Sequence, residues 1–351
     1  MAVWGSAAAG VVSLLTCLPR LSLAPDAESG VGGAGNPFAL LRTEGSLTSL
    51  ELAAVEKGRI VAKVLDTTDR SEVLSLVVMR VRTTPSRVLE RFRNVESWRR
   101  DPWVLQIGRV GRVPSTGDLE PLTLDPRDVD DLARCRVNDC DIRFPAEVIQ
   151  QFRKDIDWAS SNHAARASAL LRETLSAYTA SYLSRGNAAL FKYDNNDDPV
   201  RIEDGLRQLI LRSRLLADAT PDLHAYLERF PNDRPTDAED LVYWLKERFW
   251  LLNVLSLNHS TVVDRATAGG RLIMAVSKQL YASHYYEASL NVTAYVEGPG
   301  GGGSYLFSLN RARADIRPGG FNWLERVLVN RLVRRRLEAQ FRHLRRWLEA
   351  S

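Results

Sequence analysis

The pattern that most restricts the fold of this chain lies in its C-terminal part, after Trp250. Four runs there alternate between apolar and polar side chains, and glycine-rich turns separate the first from the second and the third from the fourth. Alternation with a period of two is typical of β-strands, because successive side chains point to opposite faces of a sheet. Glycine favours the tight turns of hairpins. We therefore predict four consecutive antiparallel strands, at residues 254–264, 271–281, 284–297 and 304–316.

One long helix is predicted to follow these strands, over residues 322–350. The formal net charge of the chain is +4, and residues 321–351 alone carry eight arginines against three glutamates. Such a basic helix is a candidate for contact with an anionic membrane surface or an acidic protein. Because no interleaved aromatic and basic pattern accompanies it, we predict no nucleic-acid partner. The apolar stripe of the helix consists of Leu337, Phe341, Leu344 and Leu348.

Strand-like runs rich in Val, Leu and Ile also precede the middle of the chain, and a short helix interrupts them. Thr84 followed by Pro85 predicts the start of that helix, because threonine caps helix N-termini and proline fits the first helical position. From residue 125 to about residue 250 the apolar spacing is helical almost throughout, which predicts a helical insertion. The runs assigned to strands are 47–55, 59–65, 73–81 and 103–113.

These patterns predict an α+β fold in which a curved antiparallel sheet grips the long C-terminal helix and an all-helical insertion interrupts the sheet. The composition, with 45% hydrophobic and 26% charged residues, is that of a globular protein with a packed core. The predicted order is a signal segment at 1–24, a flexible leader at 25–45, a first part of the sheet domain at 46–124, the insertion at 125–250, and a second part with the terminal helix at 251–351.

The N-terminal segment predicts export. Residues 2–18 carry no charge, and residues 7–18 are apolar enough for the hydrophobic region of a secretory signal. The first basic residue, Arg20, follows the apolar run instead of preceding it, so an uncleaved membrane anchor is the alternative. A glycine-rich stretch without helix or strand period comes next and fits a flexible leader. We predict an exported protein that is periplasmic or associated with the cell envelope.

Two cysteines, Cys135 and Cys140, are separated by four residues that favour a polar turn. In an oxidising compartment such a pair commonly closes a small disulfide ring, which agrees with export. The alternative is a zinc site, but zinc requires two further ligands at short spacing, and the neighbouring sequence offers none. We predict the disulfide and no metal site.

The order of the elements resembles that of the START-like helix-grip superfamily of lipid-binding and polyketide-cyclase-type proteins. The resemblance rests on the helix at Thr84, the hairpin-rich antiparallel run and the long final helix after Pro318. It is topological, covers about residues 58–113 and 254–350, and includes no diagnostic motif. It implies a curved sheet that grips the last helix and encloses an apolar cavity. The insertion departs from the family pattern.

Polar residues that share a strand face with apolar residues are the candidates for a binding site. Period-two alternation assigns such residues to the predicted inner face of each C-terminal strand. Burying a Lys or Arg there requires a partner or water, because a desolvated charge costs several kcal/mol. We assign these groups to the head of an amphipathic ligand, for example an anionic one, whose tail fills the apolar interior. The ligand-binding candidates are His259, Lys278, His284, Tyr286 and Arg311.

The alternative for these five residues is structural. They lie at strand ends, reach water with their polar tips, or pair with carboxylates of the insertion such as Glu239 and Asp240.

Three functions are compatible with the sequence. The first is an extracytoplasmic binding or carrier protein for an apolar or amphipathic ligand held between the sheet and the C-terminal helix. The second is a non-enzymatic structural or assembly protein of the envelope. The third is a cyclase-like or hydrolytic enzyme that uses His259 or His284. Because no catalytic motif or phosphate loop is present, we assign no catalytic residue and no cofactor, and we favour the first function.

Overall fold

The structure, a computed structural model, describes residues 46–69, 71–99, 101–249, 251–267, 270–297, 303–314 and 323–350, the last range with side chains from residue 330 onward. The predicted signal segment and leader, residues 1–45, lie outside the described residues.

One eight-stranded sheet forms the centre of the fold, and a separate two-stranded ladder lies in the insertion. The strands are β1 (Val61–Leu65), β2 (Glu72–Val81), β3 (Val104–Val110), β4 (Lys192–Tyr193), β5 (Val200–Arg201), β6 (Glu239–Phe249), β7 (Leu252–Thr267), β8 (Gly270–Ala282), β9 (Tyr286–Glu297) and β10 (Ser304–Ala314). The large sheet has the order β1-β2-β10-β9-β8-β7-β6-β3, and every neighbouring pair is antiparallel. The four C-terminal strands are therefore confirmed as β7 to β10.

Helices cover both faces of this sheet. They are α1 (Ser49–Glu56), α2 (Pro85–Arg93), α3 (Val95–Trp98), α4 (Pro126–Arg134), α5 (Ala146–Asp155), α6 (His163–Arg185), α7 (Ile202–Leu211), α8 (Arg214–Ala219), α9 (Pro221–Arg229) and α10 (Trp323–Glu349). The insertion helices α4 to α9 pack on one face, whereas α2, α3 and α10 pack on the other. The predicted α+β class, the antiparallel sheet, the helical insertion and the terminal helix are confirmed, and the arrangement is compatible with a helix-grip topology.

The segment predicted as a first strand, residues 47–55, forms α1 instead. A capping box begins this helix, in which the Glu51 N–H donates to the Thr48 hydroxyl and the Thr48 N–H donates to the Glu51 carboxylate. The strand prediction was wrong because a short apolar run fits a strand or a helix equally well.

Strand β6 lies where the spacing of Leu241, Trp244 and Leu245 predicts a helix. Trp244 is buried in the core under the insertion, and Leu245 is buried in the core under α10. A strand that is covered on both faces shows a continuous apolar run, which hides its period of two. The helices of the insertion therefore end at Arg229, before the boundary predicted from the sequence.

The terminal helix is held on the sheet by its apolar stripe. Phe341, Leu344 and Leu348 are at most 4% exposed and belong to the core between α10 and the sheet. Each such side chain contributes roughly 1.5–3 kcal/mol of hydrophobic stabilisation. The burial of these residues confirms the stripe predicted for the final helix.

Polar contacts also hold the helix on the sheet. Arg336 pairs with Glu247 of β6 at 2.6 Å and donates to the carbonyl oxygen of Arg248 at 3.0 Å. Nearer the C-terminus, Arg345 donates to the carbonyl oxygen of Gly58 at 2.8 Å. The helix therefore crosses the sheet from the end of β6 to the turn before β1.

The longest insertion helix, α6, is followed by Gly186, whose backbone conformation excludes other residues. Its φ of 69° and ψ of −149° lie in a region that is essentially limited to glycine. A Cβ atom at this position would lie 1.9 Å from the carbonyl oxygen of Phe230. This close approach brings the end of α6 against the segment that follows α9.

The two cysteines of the insertion bear on the compartment in which the protein works. Cys135 and Cys140 form a disulfide, with their Cα atoms 4.5 Å apart, so the two sulfurs are bonded to each other and not to zinc. Disulfides persist in oxidising environments. Among the described residues, no helix has the length and apolar character needed to cross a bilayer.

Candidate functional site

A cavity of about 230 Å³ lies between the sheet and α10. Strands β2 and β6 to β10 form its floor, α10 forms its roof, and the end of α3 borders one side. Sites for drug-sized ligands usually measure roughly 300–1,000 Å³. The cavity therefore matches a compact small molecule.

A row of small, uncharged polar side chains crosses the floor of the cavity. In the register of the sheet, Asn310 lies opposite Ser75 on one side and opposite Asn291 on the other. Asn291 lies opposite Ser277 in the next pair of strands. Residues directly opposite in neighbouring strands share a face, so the row continues across four strands. We call the polar lining residues of these strands and β7 the polar floor: Ser75, Ser256, Asn258, Ser277, Gln279, Ser289, Asn291, Thr293, Ser308 and Asn310.

Part of the polar floor is satisfied by internal hydrogen bonds. The amide of Asn291 donates to the Ser308 hydroxyl at 2.9 Å, and the Thr293 hydroxyl lies 3.0 Å from the same oxygen. The amide of Asn258 donates to the Ser256 hydroxyl at 2.9 Å. These bonds fix the side chains in one arrangement, which gives the cavity a defined pattern of donors and acceptors.

Other members of the polar floor are free to bind a ligand. Within the part of the chain that the structure describes, the side chains of Ser75, Ser277 and Gln279 form no hydrogen bond with protein. Ser75 is 3% exposed as a whole residue and lines the cavity. An occupant of the cavity that carries hydrogen-bonding groups would pair with these side chains.

The roof that faces the polar floor is mainly apolar, with Gln340 as its uncharged polar member. Leu337, Phe341 and Leu344 of α10 line it, and Trp98 adds an aromatic side chain at the end of α3. A hydrogen-bonding floor under an apolar roof is complementary to an amphipathic molecule with one polar side.

Charged and aromatic side chains line one end of the cavity. The ion pair of Glu247 with Arg336 lies here, and the guanidinium carbon of Arg336 is 5.3 Å from the ring centre of Phe249. The ring of Tyr286 is 5.5 Å from that of Phe249. Burial raises the pKa of Tyr286 well above its usual value, so its hydroxyl stays protonated and is able to donate.

Of the five predicted ligand-binding residues, Tyr286 alone lines this cavity. Alternation along β9 predicts that it shares a face with Ala288 and Leu290, and the structure corrects this for a local reason. Arg313 of β10 pairs with Ala288 of β9, but the next residue, Ala314, pairs with Tyr286. The register of the two strands therefore shifts by one residue at this point. The resulting bulge leaves one extra residue in β9 and turns Tyr286 to the opposite face.

His259 lies on the other face of the sheet, in the core under the insertion, and is fully buried. Burial lowers its pKa, so the ring is neutral near pH 7. Its Nδ1 lies 2.7 Å from the Tyr182 hydroxyl, and its Nε2 lies 2.9 Å from the carboxylate of Asp240. Thr261 and Tyr226 each donate a hydroxyl to Asp240 at 2.7 Å. The structural alternative, pairing with Asp240, is what the structure shows for His259.

We call this group of side chains the Asp240 network; its members are Asp240, His259, Thr261, Tyr182, Tyr226 and Arg234. His259 was predicted to lie beneath the C-terminal helix, but it lies under the insertion. The prediction was wrong because helices cover both faces of the central strands. Alternation separates the two faces but does not reveal which helices cover each of them.

Lys278 lies beside the Asp240 network and is fully buried. Its ammonium group donates to the side-chain oxygen of Asn187 at 3.0 Å and to the carbonyl oxygen of Leu227 at 3.3 Å. It also lies 4.7 Å from the ring centre of Phe230. All three partners belong to the segment between β3 and β6, so Lys278 joins the sheet to the insertion. Burial lowers the pKa of Lys278 to about 7.

We expect the protein to become more stable as the pH rises from 7 to 9. The folded pKa of Lys278 is below the unfolded value, so in this window the unfolded chain binds a proton that the folded protein lacks. Stability then increases by up to about 1.4 kcal/mol per pH unit. Urea unfolding at pH 7, 8 and 9 should show this rise in the wild type and in the exposed control Lys57→Met, and a flatter profile in Lys278→Met. Equal slopes in all three proteins would contradict the lowered pKa.

His284 and Arg311 also face the insertion, contrary to the position predicted for them. The Nε2 of His284 lies 3.2 Å from the carboxylate of Asp128 in α4. Arg311 pairs with the buried Glu72, which Arg212 of the insertion contacts at 2.8 Å. Protein groups are therefore the partners of His259, Lys278, His284 and Arg311, and the ligand-binding role of these four residues stays a prediction.

The polar floor is not among the predicted site residues, although the strands carry a signal for it. The strand face opposite to the predicted inner face has no charged residue in the middle of β7, β8, β9 or β10. A solvated sheet face normally includes Lys, Glu or Arg at such positions. An uncharged polar face indicates that the surface is covered but still forms hydrogen bonds.

Neither histidine of the enzyme hypothesis lines the cavity beneath α10. Across the described ranges, no group of three or more His, Cys, Asp or Glu side chains is placed to hold a metal ion. No protein-family model matches the chain, and no curated protein matches it either. The functional assignment therefore depends on the geometry of the molecule itself.

Proposed function

We propose that the protein binds an apolar or amphipathic small molecule between the sheet and α10, and that it acts as a carrier or sensor of this molecule outside the cytoplasm. The observation that supports the proposal is a cavity with a polar floor and an apolar roof. A sheet with a purely structural role would gain stability by filling this space, because a void forfeits packing contacts.

A START-like relationship is part of the same proposal. The insertion packs on the face of the sheet opposite to the cavity, so it leaves the space under the terminal helix available. This removes the main departure from the helix-grip pattern as an obstacle to ligand binding. The Cys135–Cys140 disulfide supports the extracytoplasmic part of the proposal.

Binding of N-phenyl-1-naphthylamine, a neutral dye that fluoresces in apolar surroundings, tests the proposal. We expect saturable binding at one site per chain in the wild type. Gln340 lines the cavity from α10, so the indole introduced by Gln340→Trp should occupy the space and weaken dye binding by at least tenfold. Titration of dye fluorescence measures both affinities.

The matched control is Gln151→Trp, which places the same side chain on the exposed surface of α5 and should leave dye binding unchanged. Circular dichroism and urea unfolding confirm that both variants are folded. The proposal is wrong if the wild type does not bind the dye, or if folded Gln340→Trp binds it as tightly as the wild type.

A further inference from the structure

Among the described residues, Arg99 is a cavity-lining cation that no carboxylate contacts directly. Its side chain lines the cavity next to the end of α3 and forms neither an ion pair nor a hydrogen bond in the part of the chain that the structure describes. The Nε atom is buried without a partner. Because arginine stays protonated in proteins, a positive charge without a bonded counterion lies at the cavity.

Among the described residues, two carboxylates act on Arg99 from beyond contact distance, and each has a nearer hydrogen-bond partner. They are Glu247 and Asp101. Glu247 lines the same cavity but is paired with Arg336 at 2.6 Å. Asp101 accepts the backbone N–H of Trp103 at 2.8 Å. Among the described residues that line the cavity, the charges of Glu247 and Arg336 cancel, so Arg99 determines the sign of their net charge.

A second unmatched donor adjoins Arg99. Trp98 is 7% exposed and lines the cavity, and its indole Nε1 has no hydrogen-bond partner among the described residues. The guanidinium carbon of Arg99 lies 5.3 Å from the Trp98 ring centre, so the two side chains pack together. Both groups donate and neither accepts. Two adjacent donors without an acceptor are complementary to an oxygen that carries negative charge.

We propose that Arg99, together with Trp98, forms the subsite for an acidic group, and that the ligand is an amphipathic anion with a compact apolar body, such as a carboxylic acid. The inference rests on the proposed function, because it identifies the residues that bind the polar end of the same ligand. The polar floor is uncharged and orients the ligand through hydrogen bonds, whereas Arg99 selects its charge.

Two dyes that differ in one group distinguish the effect of ligand charge on binding from the effect of ligand shape. The dye 1-anilinonaphthalene-8-sulfonate has the two ring systems of N-phenyl-1-naphthylamine and adds a sulfonate. We expect Arg99→Met to weaken binding of the sulfonate dye by about tenfold or more and to change binding of the neutral dye by less than about twofold. Arg99→Lys keeps the charge and should retain part of the affinity.

Arg109→Met is the control for general attraction of the sulfonate to a basic protein, because Arg109 is exposed on β3. It should leave the affinity for both dyes unchanged. Arg99→Gln replaces Arg99→Met if the methionine variant does not fold, with the neutral dye as the test of an intact cavity.

Three outcomes would overturn the inference, and they differ in what they say of the proposed function. If Arg99→Met binds the sulfonate dye as tightly as the wild type, Arg99 is not an anion subsite, but the cavity is still a binding site. If Arg99→Met loses the same affinity for both dyes, Arg99 maintains the shape of the cavity and does not recognise the charge of the ligand. Failure of the wild type to bind either dye removes the proposed function as well.

Discussion

Replacing Asp240 with alanine is expected to lower the free energy of unfolding by about 3–5 kcal/mol. The carboxylate accepts hydrogen bonds from His259, Thr261 and Tyr226 and pairs with Arg234 at 3.0 Å. Removing it leaves these groups without a partner next to a packed core, and each buried unpaired group costs about 1–3 kcal/mol. Urea unfolding followed by tryptophan fluorescence measures the loss.

Asp130→Ala is the matched control for this prediction. Asp130 is exposed on α4, and its side chain forms no hydrogen bond or ion pair among the described residues. Such surface substitutions usually change stability by less than about 0.5 kcal/mol, so this variant should be close to the wild type. Losses of similar size in the two variants would contradict the structural role that we assign to the Asp240 network.

Replacing Gly186 with alanine is expected to cost more than about 3 kcal/mol of stability. The backbone at Gly186 has a conformation that is strained for any side chain, and the added Cβ would collide with the carbonyl oxygen of Phe230. Relief requires a backbone shift between the end of α6 and the segment after α9. Thermal and urea unfolding of the variant measure the cost.

Gly58→Ala is the control that distinguishes the cost of the steric collision from the cost of the backbone conformation. Gly58 also has a positive φ, of 80°, but an added Cβ would meet nothing within 4 Å. We expect a cost of only about 1 kcal/mol, the conformational contribution alone. If Gly186→Ala is no worse than Gly58→Ala, the close approach to Phe230 does not hold in the folded protein.

The sequence predicted the C-terminal half of the sheet because alternation is clear where one face of a strand is apolar and the other is not. Strand β9 shows this well, since Leu290, Val292 and Ala294 face the insertion while Asn291 and Thr293 face the cavity. The terminal helix was predicted for the same reason, because its apolar stripe has a single partner. Periodicity records which side chains share a face, and that property is local to each element.

The sequence did not predict which helices cover each face, because that depends on contacts between distant segments. Thr261 and Ser260 are neighbours in β7, yet Thr261 hydrogen bonds to Asp240 on the insertion side and Ser260 lies in register with Ser277 of the polar floor. Both residues are at most 2% exposed. A polar residue on an apolar face therefore marked a buried network, whereas the cavity lay on the opposite, more polar face of the strands.

Local irregularities account for the remaining errors. The bulge at the start of β9 reverses the face of Tyr286, and pairing with β10 creates it. The helix α1 depends on two reciprocal hydrogen bonds of Thr48 and Glu51, which a count of apolar residues does not register. Arg99 had no pattern of its own, because its role arises from the position of α3 beside the cavity.

Strand β10 completes the sheet last. It lies between β2 and β9, so residues 72–81 find their partner only when residues 304–313 have been synthesised. At typical rates of translation this delay is on the order of ten seconds or more. During that time the free edge of β2 is open to pairing with other chains. Closure of the sheet therefore waits until nearly the whole chain has been synthesised, and the protein depends on the late arrival of one strand to cover this edge.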